Sequence, residues 1–205
     1  MKIDFSKLTS LEAYRWLAST ITPRPIAWVA TRSSQGIDNL APFSFFQVIS
    51  DDPATVMITV NHRDDGSFKD TLNNLKACPD VCISLVRHAH AEAMNASSET
   101  LAAGVSEFEH CQIPAVAADT VAALRVVGAP VAFEGRAVQL MPYPADKPNC
   151  HLVFVQVLAA HVDDTVLTGE GRVDPAKLDL IGRLGGSDYS TTRDRFAMQR
   201  PRQTL

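Results

Sequence analysis

The sequence lacks several features that mark common classes of protein. No apolar run approaches the ~18 residues that cross a bilayer, and the charged start over residues 1–7 has no apolar segment after it, unlike a signal peptide. With 19 basic against 23 acidic residues the formal net charge is -4, whereas a nucleic-acid binder normally carries a basic face. We therefore expect no membrane partner and no nucleic-acid partner.

Cysteine is scarce, and its spacing fits no known site. The chain has four cysteines, and three residues separate Cys78 from Cys82, so there is no CxxC pair of the zinc or redox type. A free cysteine behaves as a small hydrophobic residue. The sequence thus predicts four buried free thiols, no metal site and a cytoplasmic location.

The familiar catalytic signatures are also missing. There is no GxGxxG opening a helix after a strand, no Walker A motif, no HExxH and no GxSxG elbow. A Ser-His-Asp triad without the elbow stays open. His88 and His90 could face the same side of a strand, but no third metal ligand is suggested nearby. A solvated strand end is the simpler interpretation of that pair.

What the chain does have is the composition of a folded protein that is rich in strands. Of its 205 residues, 46% are apolar and 20% are charged, which fits one globular domain over residues 1–205. The patterns predict strands over 26–31, 39–49, 54–61, 81–87, 131–141 and 152–162. They predict helices over 11–19 behind a Thr9–Glu12 capping box, over 68–77 capped by Ser67, and from Asp174-Pro175, with broken helices and loops over 88–125.

The order of these elements favours a particular class of fold. Strands and helices do not alternate at regular spacing, which argues against a doubly wound parallel sheet. We expect a mainly β protein with peripheral helices, whose mostly antiparallel strands form a closed or partly closed barrel.

A polar loop that enters the second helix is the first candidate site. A helix N-terminus offers free N–H groups and a partial positive charge, and cationic and hydroxyl side chains beside it complete what a phosphate group needs. Arg63 and Lys69 would supply the charge, and Ser67 and Thr71 the hydroxyl groups; Asp70 and Asn73 complete this candidate segment. A normally capped surface helix is the alternative.

The second candidate site is the segment 39–46. Small and hydroxyl residues there would let a flat ligand approach the backbone, beside apolar walls. The residues concerned are Asn39, Ala41, Pro42, Ser44 and Phe45. A plain core strand is the alternative, but a flat slot beside a phosphate site describes the binding of flavin mononucleotide (FMN).

Seven segments in order resemble those of the flavin reductase-like, FMN-binding split-barrel family. They are TPRPIAWVAT at 22–31, GIDNLAPFSFF at 36–46, Asp52-Pro53, KDTLNN at 69–74, APVAFE at 129–134, the strand opened by His151, and RLGGSDY at 183–189. Together the resemblance runs over about residues 15–201. Gln156 departs from the small or acidic residues typical of that strand.

The resemblance implies a fold and an activity. The fold would be a six-stranded antiparallel Greek-key split barrel, with a core over about 15–165 and a C-terminal extension over 166–205. The protein would be a homodimer with FMN at or near the subunit interface, using NADH or NADPH and passing electrons to a partner monooxygenase or another acceptor. An FMN-binding electron carrier without nicotinamide activity is the alternative, and a barrel that has lost the flavin is a third.

By position, the resemblance also implies roles for individual residues. His151 would lie near the nicotinamide or flavin face. The ring and ribityl chain would be lined by Thr31, Asn39, Ala41, Ser44 and Phe45. Arg63, Lys69 and Thr71 would hold the phosphate.

Overall fold

The computed structural model describes residues 1–102 and 104–201. The α-helices are α1 (Ser10–Thr20), α2 (Asp70–Ala77), α3 (Ala91–Ala96), α4 (Glu107–His110) and α5 (Pro175–Leu178). The strands are β1 (Arg24–Pro25), β2 (Ala27–Arg32), β3 (Asp38–Phe43), β4 (Phe46–Asp51), β5 (Ala54–Asn61), β6 (Asp80–Leu85), β7 (Ala115–Ala117), β8 (Leu124–Val126), β9 (Val131–Tyr143), β10 (Cys150–Val162), β11 (Ile181–Arg183) and β12 (Tyr189–Thr191). Three short 3-10 helices occupy Phe5–Lys7, His88–His90 and Asp164–Val166.

The main sheet has seven antiparallel strands in the order β3-β2-β6-β9-β10-β5-β4. The prediction of six strands was therefore wrong. The segment over 39–49, predicted as one strand, is two strands separated by Ser44 and Phe45. The mainly β class with antiparallel pairing is confirmed.

The two edge strands of this sheet, β3 and β4, are consecutive in the chain. Only Ser44 and Phe45, here called the seam, connect them. Because two residues span so little distance, the sheet must curl until its edges meet at the seam. There Phe45 O accepts a hydrogen bond of 2.9 Å from Thr59 N. The result is a barrel that is split along one line.

Both faces of β2 are buried, which explains its continuous apolar sequence. Ala27 and Val29 pack inside the barrel with residues of β5, β6 and β10. Trp28 and Ala30 pack outside, under the segment 88–126. The Trp28 Nε1 donates to Ser97 Oγ at 2.9 Å, so a buried polar pair anchors that segment.

Most local expectations for the helices hold. The Thr9–Glu12 capping box is formed, and Asp174 caps α5 with proline at its start. Ser67 is not the cap of α2: the N-cap is Lys69 and has no side-chain cap bond. The segment predicted as broken helices and loops also contains the β7–β8 hairpin.

The C-terminal part of the chain returns to the N-terminal part. Strand β11 pairs with β1 and with β12 in a separate three-stranded sheet. The four cysteines are free, as predicted, but Cys78 and Cys111 are only half-buried. Among the described residues, no helix combines the length and apolar composition that a membrane crossing requires.

Candidate functional site

A cleft of about 130 Å³ lies between β3, the start of α2 and the segment 97–101. We call it the helix cleft. It is lined by Asn39, Ala41, Pro42, Phe43, Arg63, Lys69, Asp70, Thr71, Ser97, Ser98, Glu99, Thr100, Leu101 and Glu107. The two polar segments that the sequence analysis singled out therefore face each other across one space.

The start of α2 gives this cleft free hydrogen-bond donors. The first two helical residues, Asp70 and Thr71, have no N–H partner among the backbone bonds of the described residues, as expected for a helix N-terminus. Their partial positive charge adds to the ammonium of Lys69, which lies 5.8 Å from the centroid of the Phe43 ring. The arrangement suits an anion with several oxygen atoms.

Lys69 is the strongest cationic feature of the helix cleft. Lys69 is exposed, but protein atoms surround part of its side chain. This partial desolvation, and then repulsion from Arg63, lower the pKa of Lys69. Arg63 differs because Asp70 Oδ2 accepts from its Nη2 at 2.9 Å. A second donation, to Phe68 O, fixes the Arg63 side chain against its own loop. Arg63 therefore organises the loop, whereas Lys69 keeps its charge available.

Buried polar pairs form the floor of the helix cleft. Asn39 donates to Thr71 Oγ1 at 3.1 Å, which ties β3 to the helix start. Glu107 Oε2 accepts from the backbone N–H of Leu40 at 2.8 Å, on the free edge of β3. Burial raises the pKa of the Glu107 carboxyl. These bonds hold the two walls of the cleft at a fixed separation.

A second cleft, of about 250 Å³, adjoins the first at the seam. We call it the seam cleft. It is lined by Tyr14, Ile26, Pro42, Ser44, Met94, Ser98, Arg183 and Tyr189. Because Pro42 and Ser98 belong to both clefts, the two form one elongated depression, with Lys69 at one end and two tyrosines beside Arg183 at the other.

The seam carries free backbone donors at the border of this second cleft, whose lining includes Ser44. Neither Ser44 N nor Phe45 N takes part in a hydrogen bond among the described residues, since the chain leaves β3 before it enters β4. Proline at position 42 has no N–H to offer a neighbouring strand, so the edge of β3 stays open there. Two consecutive free N–H groups suit the polar edge of a flat ring.

The structure thus brings together most of the predicted cofactor residues. The helix cleft is lined by Asn39, Ala41, Pro42, Arg63, Lys69, Asp70 and Thr71, and the seam cleft by Pro42 and Ser44. Three others line neither cleft. Thr31 is buried and accepts from Asn74, the Phe45 ring lies tilted beside that of Tyr14, and Asn73 is exposed and donates towards Phe68 O.

His151 lines neither cleft within one chain. Its Nδ1 lies 3.0 Å from His62 Nε2, and its ring contacts the edge of Phe68. Burial, followed by the charges of Lys76 and His62, lowers the pKa of His151. The imidazole therefore supports the loop that ends at Lys69, and its predicted contact with a nicotinamide or flavin stays a prediction.

Sequence reasoning missed the contributions of two distant segments. Ser97, Ser98 and Glu107 come from the stretch that was interpreted only as broken helices and loops. Arg183 and Tyr189 come from the C-terminal part, where the RLGGSDY segment was noted for its resemblance alone. The one available signal for the second pair was that motif.

One further polar cluster lies away from both clefts. Glu134 is fully buried and accepts from Asp119 N, Thr120 N and His161 Nε2 at 2.8, 2.6 and 2.5 Å. Burial alone would raise the pKa of Glu134, but the hydrogen bonds from Thr120 and Asp119 outweigh it and lower the pKa to about 2. These bonds engage both carboxylate oxygens, and they join β9 to the 119–120 turn.

Comparison with known proteins identifies the family. The family model of the flavin reductase like domain matches residues 19–176. An uncharacterized protein of Aquifex aeolicus is 36% identical over 176 residues, covering 86% of this chain and 88% of that protein.

Two solved structures share the fold along the whole chain. The 2-nitrobenzoate 2-nitroreductase NbaA of Pseudomonas fluorescens is 28% identical with a TM-score of 0.89, covering 100% of this chain and 98% of that one. Nitrilotriacetate monooxygenase component B of Bacillus cereus is 24% identical with a TM-score of 0.91, covering 97% and 98%. With a matched family model over most of its length and the split barrel described above, the chain belongs to the flavin reductase-like domain family.

Proposed function

We propose that the protein binds FMN along the two clefts and reduces it with NADH or NADPH. The observation that carries this proposal is the pairing of two donor sets in one depression: Lys69 with the start of α2, and Ser44, whose backbone N–H is free at the seam. The family match supports flavin chemistry. FMN itself is inferred from the anion site at one end.

The residues of the helix cleft would hold the phosphate. Lys69 and the N–H groups of Asp70 and Thr71 donate to oxygen atoms, and Arg63 keeps the loop in place through Asp70. A helix N-terminus and a cation suit a phosphate, since both favour negative charge. Asn39 fixes β3 against α2 and Glu107 fixes β3 against α4, so the cleft needs little rearrangement on binding.

The seam cleft would orient the ring. Ser44 N and Phe45 N would donate to ring heteroatoms, while Tyr14 and Tyr189 provide flat apolar walls. When bound, the flavin supplies a two-electron acceptor for hydride, so the protein needs no nucleophile of its own. Its task is to hold the ring and to leave one face open to a nicotinamide.

No dinucleotide-binding motif occurs in the sequence, which agrees with a nicotinamide cofactor that visits the site only briefly. The name of the Bacillus cereus neighbour, a monooxygenase component B, supports a partner monooxygenase as the acceptor of reduced flavin. The alternative is an electron carrier that receives electrons from another protein.

We also propose that two copies of the chain form a homodimer. Helix α1 buries only Ala18, although Leu11, Trp16 and Leu17 are apolar. Val48, on the edge strand β4, is 68% exposed. Such apolar surface on a helix and at a sheet edge is a liability unless another chain covers it.

An anaerobic titration tests the proposal. The FMN-loaded protein is mixed with NADH and, separately, with NADPH, while the flavin absorbance is followed. Stoichiometric bleaching by one of them supports the reductase. Bleaching by dithionite but by neither nicotinamide favours the electron carrier, and a protein that takes up no FMN refutes both.

A further inference from the structure

Within the described part of the chain, two arginines flank the seam without a carboxylate partner. Arg24 lies behind Ser44, with its Nε 3.4 Å from Ser44 Oγ, and Arg183 lines the seam cleft itself. The ion pairs that arginines form with carboxylates among the described residues include neither Arg24 nor Arg183. The seam cleft therefore has one cation, Arg183, in its lining and a second, Arg24, behind Ser44, and the described residues form no ion pair with either.

The bonding partners of Arg24 are all neutral. Its guanidinium donates to the carbonyls of Ala18, Ile21 and Leu184, the latter two at 3.0 and 2.9 Å. The residue is only 6% exposed. Burial, and then the nearby charge of Arg183, lower the pKa of Arg24. A buried cation is costly unless it is paired, so this arrangement favours an anion close to the seam.

Arg183 is held in place by its own segment. It donates to Tyr189 Oη and to Gly186 O, and its guanidinium lies 4.6 Å from the centroid of the Tyr189 ring. The RLGGSDY segment thus builds a cation with a fixed position at the wall of the cleft. A preorganised charge of this kind stabilises a developing anion without rearrangement.

We propose that Arg24 and Arg183 favour the reduced, negatively charged form of the bound flavin over its oxidised, neutral form. The inference rests on the proposed function and deepens it. Transfer of H⁻ from NAD(P)H delivers two electrons and one proton, so the nicotinamide leaves oxidised and the flavin ring gains one negative charge. The two guanidiniums compensate that charge.

The test compares the affinities of oxidised and reduced FMN, from direct titration and from the midpoint potential of the bound flavin. In the unmodified protein, reduced FMN should bind more tightly than oxidised FMN. Arg183→Gln should weaken binding of the reduced form about tenfold relative to the oxidised form, which is a fall of about 30 mV for a two-electron couple. Arg183→Lys, which keeps the charge, should restore most of the difference.

Arg172→Gln is the matched control, since Arg172 is an exposed arginine outside both clefts. The inference is overturned if the unmodified protein binds oxidised FMN more tightly than reduced FMN. It is also overturned if Arg183→Gln and Arg172→Gln have the same midpoint potential, or if Arg183→Lys lowers the potential as much as Arg183→Gln. If the protein takes up FMN but Arg183→Gln does not shift the midpoint potential, this inference fails and the proposed function stands. Failure of the unmodified protein to take up FMN in either form would instead refute the proposed function and, with it, this inference.

Discussion

Lys69 is the residue on which the proposed phosphate site most depends. It is the N-cap of α2 without a side-chain cap bond, and its ammonium faces the helix cleft. Partial burial of a lysine ammonium costs free energy unless a hydrogen-bond or charge partner offsets it. Its position makes sense when an anion occupies the cleft.

Lys69→Ala should therefore weaken FMN binding by about 10- to 100-fold, because a hydrogen bond to a charged group contributes about 1.5–3 kcal/mol. Riboflavin, which has no phosphate, should bind the variant and the unmodified protein alike. Fluorescence titration measures both ligands, and Lys147→Ala, an exposed lysine elsewhere, is the control. Equal losses for FMN and riboflavin would remove Lys69 from the phosphate site.

Glu134 leads to a prediction about acid stability. Its pKa falls from the ordinary glutamate value of 4.5 to about 2 in the fold. A lowered folded pKa contributes stability that is present above about pH 4.5 and is lost as the pH falls through about 2. Glu134→Gln should lower the free energy of unfolding by about 3 kcal/mol at pH 7.

The difference in free energy of unfolding between Glu134→Gln and the unmodified protein should narrow steadily as the pH falls from about 4.5 to about 2. Urea unfolding at neutral pH and at two acidic pH values within that window measures it, with Glu170→Gln, an exposed site, as the control. If this difference in free energy stays constant with pH, the charge of the Glu134 carboxylate does not contribute to stability.

Sequence patterns placed some candidate residues where the structure has them, when the signal is local. A loop that enters a helix predicts that Lys69 and Thr71 lie together at the helix start, and both line the helix cleft; their binding of a phosphate stays a prediction. Arg183 could not be placed in the same way, because 138 residues separate it from Ser44 in the chain. Only the pairing of β11 with β1 brings them together.

At the scale of elements, the break between β3 and β4 decides the position of the site. The sequence shows an apolar and aromatic run over 39–49 that is typical of one strand. The structure interrupts it at Ser44 and Phe45, since the barrel must change direction there to close. Such a break depends on long-range pairing with β2 and β5, which local propensity does not report.

The long hairpin of β9 and β10 depends on a glycine. A Cβ built at Gly135 would lie 2.6 Å from Gln156 O and 2.7 Å from Val155 Cγ1. A backbone oxygen cannot move away cheaply, so Gly135→Ala should destabilise the fold by about 1–3 kcal/mol.

Thermal and urea unfolding measure the effect of Gly135→Ala. Gly169→Ala is the matched control, because a Cβ there meets nothing within 4 Å. Equal free energies of unfolding for the two variants would show that β9 and β10 accommodate a Cβ at position 135 without loss of stability.

At the scale of the whole molecule, the apolar surface that one chain leaves open is the main feature. The side of the sheet at β2 and β6 is covered by the segment 88–126. In contrast, α1 and β4 expose apolar side chains. A second copy of the chain would cover them and place two sites in one assembly.

Val48→Lys should therefore shift the protein from dimer towards monomer, since a lysine on an edge strand opposes pairing with another chain. Analytical ultracentrifugation over a range of concentrations measures this. Val116→Lys, on the separate β7–β8 hairpin, should leave the assembly unchanged. An unmodified protein that sediments as a monomer at all concentrations would contradict the proposed homodimer.

The most direct measurement of the proposed site is an equilibrium titration of the flavin-free protein with FMN and with riboflavin. A ring bound at the seam and a phosphate bound at α2 predict saturable FMN binding at one site per chain, with riboflavin at least ~10-fold weaker. Riboflavin binding as tight as that of FMN, or no binding of either, would contradict the site proposed for this fold.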